Sequence, residues 1–219
     1  MLNYKGVIFD CDGILLDSMQ MWMKADANFL IGIGLKPRPD LTEAIRPLSS
    51  LEAAEYLRIG YGIPKSTEQI NDERNRTLEE YYFHETTLKA GIVPYLEELR
   101  KRGAKMCVAT ATDRRLVETA LERCGILDYF VRIFTCGEEK TSKSSPDIYI
   151  RAAAFLGTEI SETLVVEDAL HAIKSAKKAG FPVAAVYDLS EDDHQEEIKG
   201  LCDYYLGKAG DGPAPYPCG

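Results

Sequence analysis

The chain has 219 residues, of which 45% are hydrophobic, and this is enough for a core in one large domain or two small ones. Its formal net charge of −9 argues against nucleic acid or an anionic membrane as the main partner, because both bind clustered Lys and Arg. We therefore expect a chain that folds alone as a monomer and acts on a small molecule.

The location in the cell is predicted from features that the chain lacks. The apolar runs fall well short of the roughly 20 residues that cross a bilayer, and the first residues lack a basic segment followed by an apolar signal core. Six cysteines are scattered without a C-x-x-C pair, which predicts reduced thiols rather than a metal–thiolate site. These features favour a cytoplasmic protein without a membrane partner.

In chain order, a buried strand at VIF (residues 7–9) comes first and runs directly into DCDG. No second strand follows at the usual crossover distance. Residues 17–92 instead have helical patterns over 19–30, 44–58 and 69–88. We interpret 17–92 as an inserted, all-helical cap domain.

From residue 94 onward the chain repeats a helical period, a glycine and a short apolar run. Glycine is the usual residue just after the last turn of a helix, and alternating helices and strands predict parallel pairing. The assigned strands after VIF are MCVA, RIF, TLVV and VAAV, and DYYL follows Gly200 in the same pattern. The fold class is therefore a doubly wound parallel α/β sheet, a Rossmann-like core formed by 1–16 and 93–219. The tail GKAGDGPAPYPCG is expected to be poorly ordered.

Chemically suggestive residues follow four of these strands. They are Asp10 and Asp12 after VIF, Thr110 after MCVA, Lys143 after RIFTCGEEKTS, and Glu167 and Asp168 at the end of TLVV. In open α/β sheets ligands bind beyond the carboxyl ends of the strands, so these side chains should converge. Gathered carboxylates repel one another unless a cation lies among them, and oxygen ligands suit Mg²⁺. Lys143 and Thr110 could then hold a phosphoryl group.

Each residue alone has an ordinary structural interpretation. An Asp after a strand is most often a turn residue or a helix N-cap, and Asp113 is a plausible N-cap for a helix starting at 114. His84, His171 and His194 are isolated and are interpreted as structural or solvated. Tyr81, Tyr82 and Phe83 fit helix packing. The order of the acids, hydroxyl and lysine at four strand ends is what favours a common site.

Four ordered motifs resemble those of the haloacid dehalogenase superfamily. They are DCDGILLDS at 10–18, VAT at 108–110, KSSPD at 143–147 and VVED at 165–168. Within that superfamily, SKSSPDIYIRAAAFLG followed by ETLVVEDALHAIKSAKKAGFPVAAV resembles the β-phosphoglucomutase-like phosphatases. Two departures are Ser144, where Pro usually follows the lysine, and Ala169, where Ser is common.

The resemblance implies a role for each residue that matches a motif. Asp10 would be the nucleophile that forms an aspartyl-phosphate, and Asp12 would be the acid and base. Mg²⁺ would be held by Asp10, the backbone carbonyl of Asp12 and Asp168, with Glu167 in support. Thr110 and Lys143 would bind the phosphoryl oxygens. The implied protein is a Mg²⁺-dependent phosphatase of a small phosphorylated metabolite.

Three alternatives belong to other functional classes. A phosphorylated receiver module, which is a binding switch, needs no helical cap. A dehalogenase would attack carbon, but dehalogenases of this superfamily lack an acid at the position of Asp12. A sugar-phosphate mutase remains the serious alternative. Related mutases carry a histidine where this chain has Trp22. They also need an arginine in the cap for the distal phosphate, and in the corresponding segment this chain offers only Arg46 as a candidate substrate-binding residue.

Overall fold

The computed structural model describes residues 4–207 and contains a six-stranded, fully parallel sheet. Its strands are β1 (Gly6–Phe9), β2 (Lys105–Thr110), β3 (Ile133–Thr135), β4 (Thr163–Glu167), β5 (Val183–Val186) and β6 (Tyr204–Leu206). The five predicted strands are all present, and DYYL supplies the sixth. Residues 208–219, which include nearly all of the predicted tail, lie outside the described residues.

Helices and short turns connect and cover the strands. The α-helices are α1 (Met19–Gly32), α2 (Leu41–Ile45), α3 (Ser50–Tyr61), α4 (Thr67–Glu80), α5 (Ile92–Lys101), α6 (Arg114–Arg123), α7 (Cys136–Glu139), α8 (Asp147–Leu156), α9 (Leu170–Lys178) and α10 (Gln195–Leu201). A π-helical turn (Tyr81–Glu85) extends α4, and 3₁₀ turns occupy Leu127–Tyr129, Ile160–Glu162 and Leu189–His194. No helix within residues 4–207 combines the length and the apolar character that a bilayer crossing requires.

The sheet order is β3-β2-β1-β4-β5-β6, so β1 lies between β2 and β4. Phe9, the last residue of β1, pairs with Val108 on one side and Val166 on the other. β1, β4 and β5 are buried throughout, as expected for a parallel sheet that is covered on both faces. The predicted fold class is confirmed, and the three motifs that follow β1, β2 and β4 emerge at one edge.

The inserted helices α1–α4 have a hydrophobic cluster of their own. Its buried members are Phe29, Leu30, Leu41, Ile45, Ala53, Ala54, Leu57, Ile63 and Ile70. Ala25, Leu78 and Tyr82 instead join the cluster that contains Phe9 and Val166 of the sheet. The inserted helices therefore share a local hydrophobic cluster and also pack against the sheet.

Two predicted helices of the insertion are wrong in their bounds. The helix predicted over 44–58 is two helices, α2 and α3, because Pro47 lies between them and Ser49 starts a new helix with a capping box to Glu52. The helix predicted over 69–88 begins at Thr67 and ends in the π-helical turn, since Thr86, with φ −57° and ψ 143°, leaves the helical region.

Candidate active site

An ion-paired cluster lies at the carboxyl ends of β1 and β4. Lys143 Nζ is 2.5 Å from Asp10 Oδ1 and 2.6 Å from Glu167 Oε1, so the lysine bridges the two acids. The Tyr149 hydroxyl, from α8, donates to the same Glu167 oxygen at 2.7 Å. Lys143 comes from the loop between α7 and α8 and is buried, as are both acids. Residues from three separate motifs are thus in direct contact.

The cluster holds more negative charge than one lysine neutralises. Burial raises the pKa of Asp10 to about 8, with Lys143 opposing the rise and Glu167 and Asp12 adding to it. Burial, followed by the charges of Asp10 and Glu167, raises the pKa of Asp168 well above its usual range. Burial alone would lower the Lys143 pKa, but the two carboxylates outweigh it and the pKa is raised. Further positive charge would stabilise this arrangement.

The same acids form a donor set that fits a divalent cation. One oxygen each from Asp10, Glu167 and Asp168 lie within 4.8 Å of one another. Among the described residues, Asp168 Oδ2 and Glu167 Oε2 are buried without a hydrogen-bond partner. A buried polar atom without a partner is unfavourable, and carboxylate oxygens are the ligands that Mg²⁺ prefers. The residues present therefore fit a magnesium ion.

The Asp12 carboxylate is held by three hydroxyl groups. Ser18 Oγ donates to Asp12 Oδ1 at 2.5 Å, and the Tyr82 hydroxyl donates to the same oxygen. Thr112 Oγ1 donates to Asp12 Oδ2 at 2.7 Å. The Trp22 indole N–H donates in turn to the Tyr82 oxygen at 2.7 Å. The three donors that orient Asp12 thus come from three segments: Ser18 from the chain before α1, Tyr82 from the turn after α4 and Thr112 from the loop after β2.

Gly13 allows the first motif to turn beside the carboxylate cluster. Its φ is +79°, in the region that favours glycine. A Cβ at this position would lie 2.3 Å from Asp168 Oδ2, too close for any side chain. The glycine of the first motif is therefore required both for the turn and for the approach of Asp168.

Thr110, the last residue of β2, also reaches the site. It is buried, and its Oγ1 accepts the Thr112 backbone N–H at 3.1 Å, which leaves its hydroxyl hydrogen for another acceptor. Together with Asp10, Asp12 and Lys143 it lines a cavity of about 150 Å³. The geometry is compatible with the predicted contact to a phosphoryl oxygen.

The inserted helices complete the lining of this cavity. Their apolar contribution is Met19, Trp22, Met23, Ile45, Leu48 and Ala53. Two arginines of the insertion line the cavity, and both are paired: Arg46 Nη1 lies 3.5 Å from Glu191 Oε1, and Arg74 Nε donates to Asp26 Oδ1 at 2.6 Å. Arg46 therefore reaches the cavity, as a substrate-binding residue must, but its guanidinium already has the Glu191 carboxylate as a partner.

Three single residues have contacts beyond those that the sequence predicts. Asp113 is the N-cap residue of α6, as predicted, but its side chain makes no capping hydrogen bond and accepts instead from the Asn71 and Asn75 amides. His171 lines the cavity, and burial lowers its pKa to about 4, so its imidazole is neutral near pH 7. Tyr82 packs in the core, as predicted, but it also binds Asp12.

Ser18, Thr112 and Tyr149 are polar site residues that sequence reasoning missed. Ser18 is the last residue of the motif at 10–18, and Thr112 lies two residues after the motif at 108–110. A hydroxyl side chain so close to a motif is the signal that could have identified them. Tyr149 lies two residues beyond KSSPD in a helical pattern, where a tyrosine is more often a packing residue.

Comparison with known proteins identifies the family of this chain. A profile of the haloacid dehalogenase-like hydrolases matches residues 7–186. Hexitol phosphatase A of Escherichia coli is 30% identical over 90% of this chain and 89% of its own, and N-acetylmuramic acid 6-phosphate phosphatase of Pseudomonas aeruginosa is 28% identical over 84% and 82%. The crystal structure of β-phosphoglucomutase from Clostridium difficile shares the fold, with a TM-score of 0.78 at 20% identity over 93% of this chain and 90% of that one. As its ordered motifs predict, the chain belongs to the haloacid dehalogenase-like hydrolase family.

Proposed function

We propose that this protein hydrolyses a small phosphate monoester, with Mg²⁺ bound, through a phosphorylated Asp10. The observation that carries the proposal is one cavity lined by Asp10, Asp12, Lys143 and Asp168, where an Asp168 oxygen lacks a partner among the described residues. The enzyme class, a phosphoric monoester hydrolase, is confirmed by the family match and by the phosphatases among the relatives. The substrate and the chemical steps are our proposal.

Asp10 and Asp12 share the two steps of the reaction. A carboxylate oxygen of Asp10 attacks phosphorus, and the bond from phosphorus to the leaving oxygen breaks while Asp12 gives that oxygen a proton. An alcohol then departs. In the second step Asp12 takes a proton from water, whose oxygen attacks phosphorus and releases inorganic phosphate and free Asp10. Both residues line the same cavity, as this division of labour requires.

Lys143 and Thr110 bind the phosphoryl oxygens in this scheme. The Lys143 ammonium lies 2.5 Å from Asp10, where the transferred group arrives, and the Thr110 hydroxyl hydrogen is available for hydrogen bonding. The lysine would thereby neutralise negative charge next to its own carboxylate partner.

The metal ligands in the proposal are Asp10, the Asp12 backbone carbonyl and Asp168. Glu167 supports them indirectly, because its Oε1 accepts hydrogen bonds from Lys143 and from the Tyr149 hydroxyl and so holds both side chains in place. When bound, the ion neutralises the carboxylates and the charge of the phosphoryl group.

A sugar-phosphate mutase is the alternative, and the cavity lining does not favour it. A mutase must hold a second phosphate, which calls for a free cationic group on the inserted helices. Arg46 and Arg74 are each paired with a carboxylate. Trp22 occupies the place of the mutase histidine, and an indole cannot exchange a proton near neutral pH. We therefore expect water, rather than a sugar hydroxyl, to accept the phosphoryl group.

With β-glucose 1-phosphate, we expect release of inorganic phosphate and little or no glucose 6-phosphate. The two products are measured separately, the second in a coupled dehydrogenase assay with a bisphosphate activator present. Isomerisation that outpaces phosphate release would show that the mutase alternative is correct. A screen of phosphorylated metabolites with and without Mg²⁺ then identifies the preferred monoester.

The division into a cap of 17–92 on a core of 1–16 and 93–219 is also a proposal. The two crossings of the chain lie side by side: the Asp17 N–H donates to the Thr87 carbonyl at 2.9 Å, and the Lys89 N–H donates to the Leu15 carbonyl at 3.0 Å. Such a short paired ribbon can act as a hinge that opens the cavity to substrate and closes it against water.

Solution scattering should therefore report a smaller radius of gyration when Mg²⁺ and orthovanadate fill the site, because the cap closes on the phosphate analogue. The same measurement gives the mass and so tests the predicted monomer. Identical scattering curves with and without the analogue would contradict the hinge.

A further inference from the structure

We infer that Tyr82 is a positioning residue that holds Asp12 for proton transfer, and that Trp22 fixes the direction in which the Tyr82 hydroxyl donates. The inference rests on the proposed function, because it takes Asp12 as the proton-transfer group. Tyr82 lies in the π-helical turn after α4, yet its hydroxyl reaches a carboxylate 70 residues earlier in the chain.

The direction of this hydrogen-bond chain follows from the chemistry of its first member. An indole N–H is a donor only, so the Tyr82 oxygen accepts from Trp22. The single hydroxyl hydrogen of Tyr82 is then left for Asp12 Oδ1. The two rings pack edge to face with centroids 6.4 Å apart, and Tyr82 is fully buried. Packing thus restrains both members of the chain.

The donors divide the two oxygens of Asp12 into different roles. A carboxylate has about four acceptor sites, two on each oxygen. Ser18 and Tyr82 fill both sites of Oδ1, whereas Thr112 fills one site of Oδ2. Oδ2 is therefore the oxygen with a site left for a proton in transit, and Oδ1 is the fixed end of the carboxylate. Without the Tyr82 hydroxyl, Oδ1 loses one of its two restraints and the carboxylate can rotate.

Tyr82 also makes the placement of Asp12 depend on the inserted helices. Ser18 lies where the chain enters the insertion, just before α1, and Thr112 follows β2 in the sheet region, whereas Trp22 lies in α1 and Tyr82 in the π-helical turn after α4. The third donor is present only when these helices are packed over the site, so Asp12 is fully restrained only when substrate is covered.

The test compares two esters of similar shape that differ in their need for a proton on the leaving oxygen. Phenyl phosphate releases a poor leaving group and 4-nitrophenyl phosphate a good one. General acid catalysis contributes roughly 10²–10⁴-fold, and Tyr82 is one of three donors to the acid, so its loss should remove part of this factor. We expect Tyr82→Phe to lower kcat/KM about tenfold for phenyl phosphate and about twofold or less for 4-nitrophenyl phosphate. Trp22→Phe should shift the ratio in the same direction by a smaller factor.

Tyr81→Phe is the matched control, because the neighbouring hydroxyl donates to the Asp17 carbonyl at 2.8 Å and should leave the ratio unchanged. Wild-type hydrolysis that requires Asp10 tests the proposed function separately. Given that hydrolysis, equal losses on both esters in Tyr82→Phe would overturn the inference. If Tyr82→Phe does not fold, an unchanged ratio in folded Trp22→Phe overturns it instead.

Discussion

Asp10→Asn is expected to lower kcat for monoester hydrolysis at least about hundredfold, since general acid–base and nucleophilic groups contribute on that scale. The amide cannot form the oxygen–phosphorus bond. Its oxygen can still accept from Lys143, which lies 2.5 Å from the present carboxylate, so the local contact survives. The measurement is initial phosphate release with Mg²⁺ present, at saturating substrate.

Loss of activity must be separated from loss of fold. Burial raises the pKa of Asp10 from 3.8 to about 8, so the folded protein binds this proton more tightly than the unfolded chain. The metal-free wild type should therefore lose stability as pH rises between these values, because Asp10 ionises within the fold at a cost. Asp10→Asn carries no such charge, and its unfolding midpoint should equal or exceed the wild-type midpoint at pH 8, with the difference shrinking towards pH 4.

Exposed Asp128 provides the control for this substitution. Asp128→Asn makes the same chemical change at a residue outside the cavity lining and should leave kcat within about twofold, as surface substitutions usually do little. If Asp10→Asn kept more than about a hundredth of wild-type turnover, beyond what loss of a positioned catalytic group allows, the nucleophile would have to be another residue.

The sheet could be predicted because its signals are local. The helices at 92–101 and 170–178 end before glycines with positive φ, Gly103 and Gly180, and each is followed by an apolar strand. Strand ends then place Asp10 and Asp168 at one edge by topology alone. The sixth strand is a weaker signal, because β6 lies at the edge of the sheet and is partly exposed.

The hydroxyl groups around the acids could not be predicted in this way. Tyr82 and Thr112 reach Asp12 across 70 and 100 residues, and neither local period nor spacing specifies such contacts. Asp113 is the N-cap residue that its local signal predicts, but its carboxylate accepts from amides of α4 that are 42 and 38 residues away instead of from its own helix. Residue type identifies the candidates, but tertiary packing decides which of them meet.

Removal of divalent metal should abolish phosphate release, and Mg²⁺ should restore it and stabilise the fold. Asp10, Glu167 and Asp168 lie together, and Lys143 contacts only Asp10 and Glu167 among them. At a Mg²⁺ concentration 100 times its Kd, binding adds about 2.7 kcal/mol to the free energy of unfolding. For a chain of this size, that corresponds to a rise in the unfolding midpoint of roughly 5–10 °C. Thermal unfolding after chelation and after Mg²⁺ addition measures this effect without reference to activity.

Asp168→Asn should remove both effects of the metal together. The substitution keeps the side-chain volume but replaces one carboxylate oxygen with an amide nitrogen and removes the negative charge. In the wild type, Asp168 Oδ2 has no hydrogen-bond partner within residues 4–207. Mg²⁺ should then give little rise in the midpoint, and phosphate release should stay near background. Glu162→Gln, at a partly exposed carboxylate paired with Lys5, is the control and should respond to Mg²⁺ as the wild type does. Full activity of the chelated wild type, or an undiminished Mg²⁺ stabilisation in Asp168→Asn, would show that these carboxylates do not form the metal site.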